Sequence, residues 1–107
     1  MDLQELRDAN ILRDKEWDTG GVLDAAFSAC ELGGEVGEAL NIVKKLERER
    51  LGIRGSRSNV DELAAELADV IICVDLLAMR YGIDLSQAVV QKFNLTSFKQ
   101  NLKTVLD

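Results

Sequence analysis

The stretch Asn59-Val-Asp-Glu62-Leu-Ala-Ala-Glu66-Leu-Ala-Asp69-Val-Ile-Ile-Cys73-Val-Asp75-Leu-Leu-Ala-Met-Arg80-Tyr-Gly82 decides the fold. Asn59 is a good N-cap, and Glu62 three residues on completes a box-like helix start. Gly82 is a good stop just past the last helical residue. The segment between them is apolar around most of its circumference, which predicts a buried central helix over about 60–81. Glu66 and Asp69 lie inside that apolar run, three residues apart and on one helix face. The positions four residues before and after them are Glu62, Val70, Ala65 and Cys73, so no local Lys or Arg compensates their charge.

A second pair, Glu35-Val-Gly-Glu38, has the same spacing and a similarly apolar setting. Its segment predicts a long helix from about Val22 to about Leu51, with Leu23, Ala26, Phe27, Cys30, Val36, Leu40, Val43 and Leu46 on its apolar side. Four carboxylates facing a helical core repel one another and lose hydration. A divalent cation is the simplest compensation, and an all-oxygen donor set selects a hard ion, Mg²⁺ or Mn²⁺. Gly33, Gly34 and Gly37 crowd the first pair. Each costs roughly 1 kcal/mol against Ala inside a helix, which predicts close approach by another backbone or a ligand. Glu31 and Glu62 extend the two acidic stripes by one turn each; both are expected at the exposed rim, the other reading being that either reaches the same ion or orients a water.

Outward from these helices the chain stays helical. Residues from about Leu3 to about Glu16 form a polar, partly exposed helix, ended by Trp17-Asp-Thr-Gly-Gly21. Lys44 to Arg50 project past the core, and Gly52–Asn59 is a mobile loop. Asp84 or Ser86 caps a fourth helix to about Phe93, and a short last helix starts at Ser97. The expectation is one all-α domain over residues 1–107, a four- to five-helix bundle. So short a chain cannot cover Leu63–Met79 on all sides, so a partner copy should complete it. Asp75 lies away from the Glu66/Asp69 face and requires its own partner.

Composition narrows the function. The chain has 107 residues, 47% hydrophobic, enough for one packed domain. A net charge of −6 disfavours a nucleic-acid polymer as partner. The sequence contains no His, which removes Ser-His-Asp and Cys-His catalysis and His-ligated zinc. Its two cysteines, Cys30 and Cys73, read as small core residues in a reducing compartment. With no basic-then-apolar leader, and with Glu66, Asp69 and Asp75 interrupting the longest apolar run, a cytoplasmic protein with no membrane span is expected.

The order Gly34-Glu-Val-Gly-Glu-Ala39, then Glu66-Leu-Ala-Asp-Val70, then Tyr81-Gly-Ile-Asp-Leu-Ser-Gln-Ala88 with Lys92 after it resembles the MazG-like all-α nucleoside triphosphate pyrophosphohydrolases over about Cys30 to Lys99. The resemblance implies a helical bundle that forms a homodimer or homotetramer. It implies Mg²⁺-dependent cleavage of a (d)NTP between the α and β phosphates, giving a nucleoside monophosphate and pyrophosphate. The family's metal-ligand positions fall on Glu35, Glu38, Glu66 and Asp69, the catalytic set. Its phosphate-contacting Lys falls on Lys92; the Asn that often follows four residues later is Thr96 here, with Asn94 nearby. Many relatives carry a second acid where this chain has Gly34, which places it closer to the dCTP pyrophosphatase-like branch. Glu31 is the acid available to replace it.

Other substrate contacts follow from position. Lys45 is two turns beyond Glu38 on nearly the same face and would reach phosphate. Arg54 and Arg57 in the loop could close over a triphosphate. Trp17 suits either stacking on a base or anchoring a core or interface. The alternative to an enzyme is a non-catalytic helical module that binds a nucleotide or a partner. A third reading is a structural dimer whose acids pair with Lys or Arg across the interface.

Overall fold

Each helix starts on a side chain that accepts an otherwise orphaned backbone N–H. In the computed structural model, which describes residues 1–107, these helices are α1 (Leu3–Trp17), α2 (Ala25–Arg50), α3 (Val60–Arg80) and α4 (Leu85–Lys99), with no strand. The N-caps are Asp2 for α1, Asp24 for α2, Asn59 for α3 and Asp84 for α4. In α3 the Asn59 Oδ1 accepts from the Glu62 N–H at 2.8 Å, as the sequence predicts. Gly82 ends that helix with φ +65°, and the Ile83 N–H returns to the Ala78 carbonyl at 2.9 Å. This is the αL stop for which glycine is the cheapest residue.

Two boundaries differ from the sequence reading. α2 begins at Ala25, not Val22, because the Asp18 carboxylate accepts the N–H groups of Val22 at 3.0 Å and Leu23 at 2.8 Å. Those amides hold Asp18 below the usual carboxylate range and keep residues 22–24 out of the helix. α4 runs unbroken to Lys99, where a break near Phe93 and a fifth helix are expected. The Asn94 amide, which could compete with the helix backbone, instead donates to the Leu106 carbonyl and accepts its N–H.

α2 and α3 form an antiparallel hairpin, since Ser28 meets Arg80 and Glu31 meets Cys73. The sealed apolar centre is small: Ala39, Ile42, Cys73 and Ala78. α1 lies across α3 and is fastened by charge. Asp75 is 0% exposed and accepts from Arg7 Nε at 3.1 Å and from Asn10 Nδ2 at 2.9 Å. Arg7 also reaches the Ile83 carbonyl at 2.8 Å. Arg7 and Asn10 are thus the partners that Asp75 requires.

α4 packs on α1 and not over the hairpin. The protein spans 48 × 45 × 24 Å, and its radius of gyration of 17.1 Å exceeds the roughly 13 Å of a compact chain of this length. α3 is therefore not enclosed within one copy: Leu67 and Ile71 are 51% and 49% exposed. Cys73 is a core residue as expected, but Cys30 is exposed, lying off the α3-facing side of α2. No helix is long and apolar enough to cross a membrane.

Candidate metal centre

The hairpin meets along two stripes with alternating three- and four-residue steps, the spacing that keeps side chains on one helix seam. On α2 the stripe is Ser28, Glu31, Glu35, Glu38 and Ile42; on α3 it is Glu66, Asp69, Cys73, Leu76 and Arg80. An ordinary seam would be apolar throughout. This one is apolar at the Ile42 end and acidic through its middle.

Carboxylate oxygens of Glu35, Glu38 and Glu66 lie within 4.8 Å of one another. Oxygens around a single octahedral cation are about 3–4 Å apart, so the donor set needs only small adjustments to hold one. Glu35 Oε2 and Glu66 Oε2 are sealed from solvent and have no hydrogen-bond partner. Such orphaned acceptors are costly in a chain that could have placed an Arg there. Burial first, and then the Glu38 carboxylate, push the pKa of both groups above the ordinary carboxylate range, so both are weaker acids than usual. The residues fit a hard divalent cation: three acidic side chains, oxygen donors only, and two buried oxygens without a hydrogen-bond partner.

Beside the trio opens a cleft of about 350 Å³. Glu35 belongs to both. Asp69 lines the cleft next to it and adds repulsion to Glu35 and Glu66. Glu31 lines the cleft one turn before Glu35 and accepts from Cys73 Sγ at 3.6 Å. Burial, and then Glu31, hold the Cys73 thiol up at about 12, so it is no nucleophile near neutral pH. α1 supplies the opposite wall with Asn10, Arg13, Asp14 and Trp17. It is held there by Arg80, whose Nη1 and Nη2 donate to Asp14 at 2.8 and 2.7 Å while Nε donates to Ser28 Oγ at 3.1 Å. One guanidinium thus ties three helices together at the end of the cleft. Leu23, Phe27, Ile72 and Leu76 give the cleft its apolar surface.

No family model, characterised protein or solved structure matches this chain.

Of the four acids read from the sequence, three form the tight group, and Asp69 stands beside it on the cleft wall. Trp17 is brought to the cleft and remains 82% exposed there. Lys45 is half-buried further along α2, about 10 Å from Glu38 along the helix axis. Lys92 and Asn94 are carried away on α4; Lys92 is exposed, and both polar ends of the Asn94 amide are occupied by Leu106. The loop with Arg54 and Arg57 starts about 20 Å along α2 from Glu38, and both arginines are exposed. A Cβ placed on Gly33, Gly34 or Gly37 would meet nothing within 4 Å. Nothing within one copy approaches these glycines.

Sequence reasoning missed Arg13, Asp14, Ser28 and Arg80. Only Arg80 left a trace: it continues the stripe from Asp69 through Cys73 and Leu76. Arg13 is a cation on the cleft wall with no carboxylate partner within the chain.

Proposed function

We propose that this protein is a nucleoside triphosphate pyrophosphohydrolase that requires Mg²⁺ or Mn²⁺. The overall reaction adds water across the α–β phosphoanhydride of a (d)NTP, releasing a nucleoside monophosphate and pyrophosphate. One observation carries the reading: Glu35 is shared between an uncompensated acid trio and a cleft walled on one side by an exposed Trp. A metal-dependent phosphoryl site and a surface for a flat aromatic group therefore adjoin. The resemblance of the Glu35–Glu38, Glu66–Asp69 and Gly82–Ala88 segments to the MazG-like family supports the same conclusion.

Glu35, Glu38 and Glu66 would hold the cation, with Asp69 completing the set from the cleft wall. When bound, such a cation neutralises phosphate oxygens and polarises water. The remaining work falls to the chain. Trp17 offers a face on which a base can stack, with Phe27 among the apolar residues of the cleft. Arg13 is placed to pair with a phosphate oxygen. Glu31, open to solvent and one turn from Glu35, serves as the proton acceptor that Gly34 cannot provide. The apolar cleft walls limit the water that reaches the site. Lys45 and Lys92 remain proposed phosphate contacts, while the Asn94 amide is taken up by Leu106.

A homodimer or homotetramer belongs to the same reading. Val36, Leu40 and Val43 on α2 and Leu67 and Ile71 on α3 are exposed together, more apolar surface than a lone small domain usually leaves in water. Two unpaired cysteines favour a cytoplasmic setting. The non-catalytic alternative is a module that binds nucleotide and leaves it intact; it draws on Gly34, which adds no acid to the centre. Incubating the protein with each (d)NTP and Mg²⁺ separates them: pyrophosphate forms under the first reading and not under the second.

A further inference from the structure

Gly33, Val36, Gly37 and Leu40 run along α2 at the i, i+3, i+4, i+7 spacing of a helix seam, and Val43 continues the row. It lies off the side that meets α3. Val36, Leu40 and Val43 are exposed, and a Cβ on either glycine would meet nothing within 4 Å. Leu67 and Ile71 of α3 extend the same exposed face, level with the row because Cys73 faces Glu31. The row is centred at the level of Glu38, midway along the helix. α2 starts at Ala25, about 20 Å before that level, and ends at Arg50, about 18 Å beyond it.

The two ends of the hairpin differ in charge. At the tip, residues 44–62 hold six Lys and Arg against four Asp and Glu. Lys44, Lys45, Arg54 and Arg57 there have no carboxylate partner. At the other end, residues 13–31 hold five acids against two bases, and of those acids only Asp14 is ion-paired. A two-fold axis at the level of Glu38 packs two such rows together, and charge chooses the direction. Parallel α2 helices would set one basic tip on the other. Antiparallel helices set each tip over the acidic end of the other copy. Val36 then stands opposite Leu40 and Gly33 opposite Val43, the glycine leaving room for the larger side chain. Residues 52–57 of one copy come level with residues 19–24 of the other, at the end of the cleft lined by Trp17 and Leu23.

We infer that this face is covered by a second copy of the chain in antiparallel register, and that Arg54 and Arg57 of that copy complete the cleft by pairing with the phosphate chain of its ligand. The cleft is short of cations on its own. Arg80 is consumed by Asp14, which leaves Arg13 as the one free cation on its wall. A triphosphate carries more charge than Arg13 and one divalent cation neutralise. The role of the two arginines rests on the nucleotide reading above; the antiparallel pairing does not.

The pairing is tested on the full chain with Cys30→Ser as background. Ala29 and Glu47 are both exposed and stand equally far from the Glu38 level on either side. Ala29→Cys combined with Glu47→Cys should give a disulfide-linked dimer on mild oxidation, and neither substitution alone should. A linked dimer from Glu47→Cys alone denotes the parallel pairing, and a monomer in sedimentation denotes no pairing; either overturns the inference. The arginines are tested by turnover. Arg54→Ala with Arg57→Ala should raise KM for a (d)NTP about tenfold and leave the stabilisation by Mg²⁺ alone unchanged. Refolded together with Glu66→Gln, the double variant should recover about a quarter of the unmodified rate, the share of sites in which random pairing joins an intact acid centre to an intact tip. No recovery in the mixture overturns the contribution from the second copy. An unmodified protein that turns over no nucleotide overturns the nucleotide reading and the role of the arginines together, and the cross-link still decides the pairing.

Discussion

α3 carries two sets of buried or half-buried acids, and the chain treats them in opposite ways. At the α1 crossing Asp75 is fully buried and surrounded by donors, with Arg7 Nη2 at 3.0 Å and Asn10 behind it. At the α2 crossing Glu66 meets Glu35 and Glu38, with no Lys or Arg pairing to them and two orphaned oxygens. The first arrangement completes itself within the chain. The second is incomplete as the chain stands, although the fold has arginines and places them elsewhere. Acids supplied with counter-charge belong to the structure; acids left without it are the candidates for a binding site.

That contrast can be broken at either end. The largest effect belongs to Asp75. Replacing Arg7 by Met leaves a buried carboxylate without its main partner and should cost about 3–5 kcal/mol in denaturant unfolding. A loss below 1 kcal/mol would place the two sets on the same footing. At the other crossing, Glu66→Gln removes repulsion. The metal-free protein should melt higher by a few degrees, lose its stabilisation by Mg²⁺, and lose turnover by at least about 100-fold. A variant that melts lower and still responds to Mg²⁺ would show that Glu66 has a partner in the fold.

Much of this was legible in the sequence. The α3 boundaries follow from Asn59 and Gly82, and the three-residue spacing within each acidic pair put Glu35, Glu38 and Glu66 on facing seams. The partner of Asp75 was not legible, because Arg7 lies 68 residues away and local spacing carries no information about it. The same holds for α1, whose polar sequence suggested a peripheral helix. It docks through ion pairs and polar hydrogen bonds with α3, and so forms the cleft wall. The end of α4 near Phe93 was misplaced as well: the helix runs on through Asn94, whose amide is taken by the Leu106 backbone. The glycines near Glu35 suggested a close neighbour that one copy of the chain does not contain.

Two smaller effects sharpen the contrast. Trp17 is exposed, so Trp17→Ala should change stability by less than about 0.5 kcal/mol. It should weaken nucleotide binding about tenfold, the scale of one lost base stack; Asn94→Ala should leave binding unchanged and loosen the C-terminal residues instead. The pH dependence has a definite sign. Glu35 and Glu66 hold their protons more tightly folded than unfolded. The folded state therefore binds more protons between their ordinary and raised values, and metal-free stability falls as pH rises through that window. Cation binding must displace those protons, so the rise in melting temperature on adding Mg²⁺ should be greater at pH 8 than at pH 5. A response that is flat with pH would separate the cation from these two groups.

The most direct measurement is pyrophosphate release from a panel of (d)NTPs with Mg²⁺, run on the unmodified protein and on Glu66→Gln. The account predicts equimolar monophosphate and pyrophosphate from at least one substrate, abolished by chelating the metal and by the substitution. Intact nucleotide across the whole panel after long incubation would contradict it.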